Sequence, residues 1–457
     1  MRLPSGESVW DPKSVFFIFR KHLSLDDLAK KIAKIFAKAA DPRDRSKVQI
    51  RLTDALMSAF AMFSLKIPSL LAFDNFRSRA VQEKNLMNLF GIETIPSDTS
   101  MREILDEVDP DLLRPAFKEV FFQLQRGKAL EVYQYIDGYY LVAIDGTGYF
   151  SSKNIHCKSC CEKHNKATGE VTYQHQMLGA VLIHPDQKQV IPFCPEPIIK
   201  QDGEKKNDCE RNAAKRMIEW LSKEHPKLKM IITEDGISSN APHIRDLKAQ
   251  GMSFILGAKP GDHKFLFDEF DLAGSRCKQN VKREGKIVHI FRYVNDLQLN
   301  ESSDDVRINF LHYTECRPDG SDLTFSWVTD IEINDDNVYK IMRGGRARWK
   351  IENETFNTLK NQGYEFEHNY CHGYKNLSVV FAFLMMLAFL IDQAQLLTCN
   401  VVQTAVKKKK RLSAYYQTIR EIFNFFIFES WAEVYSAIAY DIQAINAKDV
   451  LNRPNSS

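Results

Sequence analysis

Between residues 25 and 124 apolar positions recur at intervals of three and four, as in Leu28, Ile32, Ile35 and Phe36 and again in Leu52, Leu56 and Phe60. That period lines one face of a helix, so the N-terminal region is expected to be all-helical. Residues 95–103 combine a turn, several candidate N-caps and early acids, which suits either half of a DNA-reading helix-turn-helix or a plain helical corner. Past Gln134 the pattern changes to β-branched and aromatic runs at 135–144, 176–183 and 189–193. Helical periodicity at 207–224 and near 242–250 then alternates with strand-like runs at 229–233 and 253–257, the arrangement of a mixed α/β sheet. Three further strand-like runs, 286–293, 306–313 and 323–329, make 261–330 a β-rich insertion, and helix resumes from Asn337 to the end.

The expected organisation follows from this patterning. It is a helical N-terminal region (1–130), an α/β core built from 131–260 and 331–400, the insertion (261–330) and a helical C-terminal region (401–457). The almost wholly apolar stretch 377–391 is fifteen residues long, short of the roughly 20 needed to cross a bilayer, and reads as a buried core helix. The apolar run at 15–19 is likewise too short for a secretory signal, so a cytoplasmic protein away from membranes is expected.

Composition changes this picture little. With 44% apolar residues among 457 there is ample material for a large core, and 62 Lys plus Arg against 59 Asp plus Glu leave a net charge of +3, too small to mark a nucleic-acid binder by itself. The basic run at 407–411 and the set Lys205, Lys206, Arg211, Lys215 and Arg216 are either phosphate-neutralising patches or solvated faces.

The candidate chemistry lies in the acids. Tyr140-Leu-Val-Ala-Ile-Asp145-Gly and Lys229-Met-Ile-Ile-Thr-Glu-Asp235-Gly are apolar strands that run into an acid and a glycine, and neighbouring strands of this form would bring their acids together at a sheet rim. Two carboxylates so placed repel unless a hard cation lies between them. Period-two alternation sets Glu234 on the face opposite Asp235. On a wheel of roughly 100° per residue, with Arg348 at zero, Glu352 falls at about 40° between Leu359 and Phe356, in the middle of an apolar face, while Glu354 at about 240° points to solvent. A carboxylate on a buried stripe needs either an ion partner, for which Arg348 is placed four residues earlier, or a metal.

Cys157, Cys160, Cys161 and His164 crowd into one short segment, and the Cys-x-x-Cys with a nearby histidine fits either a tetrahedral zinc site or reduced thiols; Cys371 and His372 offer further ligands.

Taken together, Ala143-Ile144-Asp145-Gly146-Thr147, the strand ending at Asp235, Trp327-Val328-Thr329-Asp330 and Arg348-Trp349-Lys350-Ile351-Glu352 resemble the DDE transposases of bacterial insertion sequences, in the group with a β-strand insertion before the catalytic Glu. The resemblance runs from about Tyr135 to Lys360. It departs from the group's signature in two places: Gly345 stands where a Tyr is usual, and Leu359 where a Lys is usual, with Lys360 one position later.

The resemblance implies an RNase H-like core in which Asp145, Asp235 and Glu352 hold two Mg²⁺ or Mn²⁺ ions and carry out phosphoryl transfer on DNA. Asp145 would bridge both ions, and Arg348 and Lys360 would contact DNA phosphates. It further implies terminal-repeat and target DNA as partners, a homodimer in the synaptic complex and a bacterial, nucleoid-associated location. The same acids also suit a metal-dependent nuclease that does not join strands, or a DNA-binding protein with an idle site.

Overall fold

Ser24 opens the helix Leu25–Phe36 by accepting a hydrogen bond from the Asp27 N–H, with Asp26 and Asp27 stabilising the helix N-terminus. The structure is a computed structural model that describes residues 21–44, 46, 48–200 and 208–440. Lys205, Lys206 and the apolar run at 15–19 lie outside the described residues. The chain divides into two units: Met1–Ala129 with Gln362–Glu365 and Leu387–Ser457, and Leu130–Asn361 with Phe366–Met386.

The first unit is helical, as the periodicity predicts. α1 (Leu25–Phe36) buries Leu25, Leu28, Ile32 and Phe36 along one stripe. α2 (Leu52–Ser64) is buried on nearly every side, and α3 (Leu70–Arg77), α4 (Ala80–Phe90), α5 (Asp98–Asp106) and α6 (Arg114–Arg126) follow. Among the candidate caps at 95–103, Ser97 fills the role by accepting from the Ser100 N–H. Lys66 is buried between the rings of Tyr364 and Tyr416, and its ammonium group reaches Asp392 at 2.5 Å. Burial holds the Lys66 pKa below its ordinary value against the pull of Asp392.

The second unit is built on one large mixed sheet. Its strands are β1 (Tyr140–Ser152), β2 (Cys161–His164), β3 (Val171–Ile183), β4 (Ile191–Pro192), β5 (Glu196–Ile198), β6 (Met230–Glu234), β7 (Ser253–Gly257), β8 (Lys278–Glu284), β9 (Ile287–Gln298), β10 (Arg307–Cys316) and β11 (Asp322–Thr329). The order across the sheet is β2-β3-β1-β6-β7-β11-β10-β9-β8, with β4 and β5 pairing with β3. β1, β6 and β7 run parallel, and β3 and β11 flank them antiparallel. This mixed sheet flanked by helices is the architecture expected of an RNase H-like core. The insertion strands extend that same sheet, because β11 pairs with β7 through Trp327 and Gly257.

Helices α7 (Glu210–Glu224), α8 (Ala241–Ala249), α9 (Lys264–Asp271) and α10 (Val338–Ala347) connect or flank the strands. Two glycines let α10 come close to its neighbours. A Cβ on Gly344 would meet Ile255, Tyr135 and Leu141 at 3.1–3.4 Å, and one on Gly345 would run into the indole of Trp327. After α10 the chain widens into a π-helical turn, Ile351–Phe356, before the short α11 (Asn357–Asn361). Phe356 from this turn packs over β3, where a Cβ on Gly179 would stand 3.1 Å from its ring.

α12 (Leu377–Thr398) contains the apolar stretch 377–391 and is the one helix among the described residues long and apolar enough to cross a membrane; 89% of its most apolar window is buried inside the protein. α13 (Asn400–Lys409), α14 (Leu412–Ile422) and α15 (Trp431–Ala439) complete the first unit. The basic run at 407–411 begins in the last turn of α13, where positive charge suits the helix dipole.

Candidate active site

β1 and β6 are parallel neighbours, and their register pairs Tyr140 with Met230 and Ala143 with Thr233. The offset is 233 − 143 = 90 residues, the same as that between Asp145 and Asp235, so the two acids stand at equal height. The sequence led us to expect β1 to stop at Asp145. It continues to Ser152, paired with β3 on both sides of an irregularity at Tyr149, and what ends at Ala143 is only its pairing with β6. Asp145 therefore sits where the sheet splits, with a paired backbone on one side and an opening on the other. Asp235 begins a tight turn, its Oδ1 accepting from the Ile237 N–H at 3.0 Å.

Glu352 reaches the same place from the helical side. The Arg348 guanidinium donates through Nη1 to Asp145 Oδ2 at 3.0 Å and to Glu352 Oε1 at 3.1 Å, tying the strand acid to the helix acid. The surroundings of Glu352 differ from the wheel expectation. Its side chain is 49% exposed, and Trp349 is 53% exposed, while Ile351, Thr355, Phe356 and Leu359 take the buried positions. The π-turn is the reason. A period wider than 3.6 residues rotates Glu352 off the apolar stripe to its rim, where it faces Asp145.

The acids perturb one another. Burial is the largest influence on Asp145 and raises its pKa to about 6; Glu352 and Asp235 push the same way, and Arg348 opposes them. Glu210, at the start of α7, adds a fourth carboxylate that lies directly over Gly146. Burial raises its pKa, with Asp235 and Glu234 adding to the effect. Nothing in the strand pattern marked Glu210, since it lies in a segment that reads as a basic stripe. Glu234 is buried in an ion pair with His243, whereas Asp235 is partly exposed. Two clefts meet at Asp235. One, of about 490 Å³, includes Lys259, Trp327, Arg346 and Arg348 in its walls; the other, of about 240 Å³, includes Asp145, Glu210, Arg211 and Lys215.

A cluster of partly exposed carboxylates answered by one guanidinium fits divalent cations, because each acid raises the cost of ionising the next. Arg348 lies between Asp145 and Glu352, bonded to both. Lys360 forms an ion pair with Glu367 at 2.7 Å. The cysteine-rich segment also arranges itself differently from expectation. Cys157 and Cys160 come together, whereas Cys161 Sγ bonds to the Ile198 carbonyl and exposed His164 lies 3.4 Å from Glu162.

The site thus consists of two acids at equal height on neighbouring parallel strands of a mixed sheet, met by a glutamate from the helical side. The chain is a member of the transposase DDE domain family, whose pattern matches residues 138–391. A fold comparison also finds the piggyBac transposase synaptic complex with hairpin DNA, solved by cryo-EM, at a TM-score of 0.40 and 11% identity, covering 100% of this chain and 88% of that one. No curated protein matches the chain.

Proposed function

We propose that this protein is a DNA transposase that cleaves the ends of an insertion sequence and joins them to target DNA, with Asp145, Asp235 and Glu352 as the metal-binding acids. The observation that carries this reading is the β1–β6 register, which levels Asp145 with Asp235, together with the Arg348 bridge from Asp145 to Glu352. Two Mg²⁺ or Mn²⁺ ions bound there would activate the attacking oxygen and stabilise the leaving one.

The protein's own contribution is placement. The β1–β6 register fixes two acids on rigid strands, and the π-turn brings the third to them. Arg348 bonds both Asp145 and Glu352, and its guanidinium would be placed to take a DNA phosphate oxygen beside the acids that would hold the cations. Lys360, released from Glu367, would neutralise a neighbouring phosphate.

The partners in this reading are double-stranded terminal repeats and target DNA. The helical N-terminal region (1–130) would bind the element's ends, and a homodimer would form the synaptic complex. The site of action is the bacterial nucleoid, in the cytoplasm. A strand-transfer assay tests the joining step: labelled end DNA incubated with plasmid, protein and Mg²⁺ should yield joined product. Cleavage without joining would reduce the function to that of a nuclease.

A further inference from the structure

The Cys157, Cys160, His175 and His372 side chains converge away from the acids, their ligand atoms all within 4.8 Å of one another. Cys157 and Cys160 lie between β1 and β2, His175 is on β3, and His372 precedes α12. The sulfurs stand 3.8 Å apart. His175 Nε2 lies 3.3 Å from Cys157 Sγ and 3.5 Å from Cys160 Sγ, and His372 Nε2 lies 3.0 Å from Cys160 Sγ. Around a tetrahedral zinc with bonds of about 2.3 Å to sulfur and about 2.0–2.1 Å to nitrogen, sulfurs are about 3.8 Å apart, and sulfur and nitrogen about 3.5 Å.

We propose that these four residues form a structural zinc site. His175 is fully buried and His372 nearly so, and each turns Nε2 toward the thiols while its Nδ1 has no partner. Thiols are weak donors, so sulfur contacts alone return little for burying two imidazoles. A zinc ion satisfies both Nε2 atoms, and two thiolates cancel its charge. Four protein ligands leave no open position, which makes the role structural rather than catalytic. Sulfur ligands select zinc over the hard cations that suit the carboxylates.

The site would clamp the segment before α12 onto the hairpin that carries Asp145. Two hydrogen bonds already join these segments: the Lys158 N–H donates to the Tyr374 carbonyl at 3.2 Å, and the Ser159 hydroxyl to the Lys375 carbonyl at 3.0 Å. Of the expected Cys157, Cys160, Cys161 and His164, this cluster holds the first two, with His372, which the sequence also offered, and His175. The two histidines are distant in sequence and are supplied by the fold.

The test is metal content of the whole chain, purified under reducing conditions with zinc present and then dialysed. The expected result is about one zinc per chain, lost in Cys160→Ser, His175→Asn and His372→Asn but kept in Cys277→Ser and Asp145→Asn. Cobalt(II) reconstitution of the unaltered chain guards against misfolded variants, and should give the intense visible bands of a tetrahedral site with thiolate charge transfer. Absence of retained zinc together with an octahedral cobalt spectrum would overturn the proposal. So would zinc content unchanged in both histidine variants, or a Cys157–Cys160 disulfide found by peptide mass mapping in place of metal.

Discussion

Arg348 donates to Asp145 at 3.0 Å from a position 203 residues further along the chain, so the helix and the strand that carry two of the three acids are joined by one guanidinium. The same nitrogen also reaches Glu352. Replacing Arg348 with Ala should leave three carboxylates facing one another uncompensated. The expected outcome is a drop in end cleavage of about 100-fold, the lower end of what removal of one preorganised charge-stabilising donor costs at an active site. Arg348→Lys should recover only part of this, since an ammonium group cannot reproduce the planar fork. Single-turnover cleavage of labelled end DNA measures both.

Asp145 should make the metal-free protein sensitive to pH. Its pKa is raised from 3.8 to about 6, mainly by burial, so the native state holds the proton more tightly than the unfolded chain does. Stability therefore falls as pH rises from 3.8 toward about 6 and stays reduced above it. With the side chain 27% exposed, solvent screening leaves a penalty of about 1–2 kcal/mol. Asp145→Asn should raise the melting temperature at pH 7.5 without divalent metal, and the gain should vanish near pH 4. Mg²⁺ should stabilise the unaltered protein more than the variant in the same scans.

Glu234 and Asp235 are adjacent and should separate cleanly by phenotype. Burial lowers the His243 pKa, but the attraction of Glu234 outweighs it and leaves the group above its ordinary 6.5. The pair's contribution is therefore fully present below 6.5 and is lost as pH rises through the folded value. Glu234→Gln should cost about 1–3 kcal/mol at pH 6 and less at pH 9, whereas Asp235→Asn should leave stability near that of the unaltered protein and abolish cleavage. Urea titrations at the two pH values supply the comparison.

Gly345 stands where the resembling group usually has a tyrosine, and the structure supplies a reason: the Trp327 indole fills the space that a side chain there would need. Gly345→Ala should destabilise the protein by about 1–3 kcal/mol through overpacking. Trp327→Leu should relieve part of that cost in the double variant, which thermal unfolding of all three variants would reveal.

These residues also mark how far the site was legible in the chain. The level placement of Asp145 and Asp235 follows from two apolar strands of the same form, and the strand pattern carried that signal directly. The orientation of Glu352 did not follow, because a wheel assumes 3.6 residues per turn and Ile351–Phe356 is π-helical. Glu210 and His175 were unreadable for a different reason, and His372 was legible only as a further ligand with no place in the fold. Their roles arise only when α7 folds over Gly146 and when β3 and the segment before α12 meet the Cys157–Cys160 loop. Helical regions and core strands were visible from periodicity alone, whereas β8, with one face as polar as the other, offered no alternation to find.

The most direct measurement of the central claim is metal-dependent nicking of DNA carrying the flanks of the protein's own gene. The panel is the unaltered chain, Asp145→Asn, Asp235→Asn, Glu352→Gln and Glu354→Gln, all in Mg²⁺ or Mn²⁺. The account predicts nicking by the unaltered chain and by Glu354→Gln, and none by the other three. Nicking that survives Glu352→Gln, or that is absent from the unaltered chain in both metals, would contradict it.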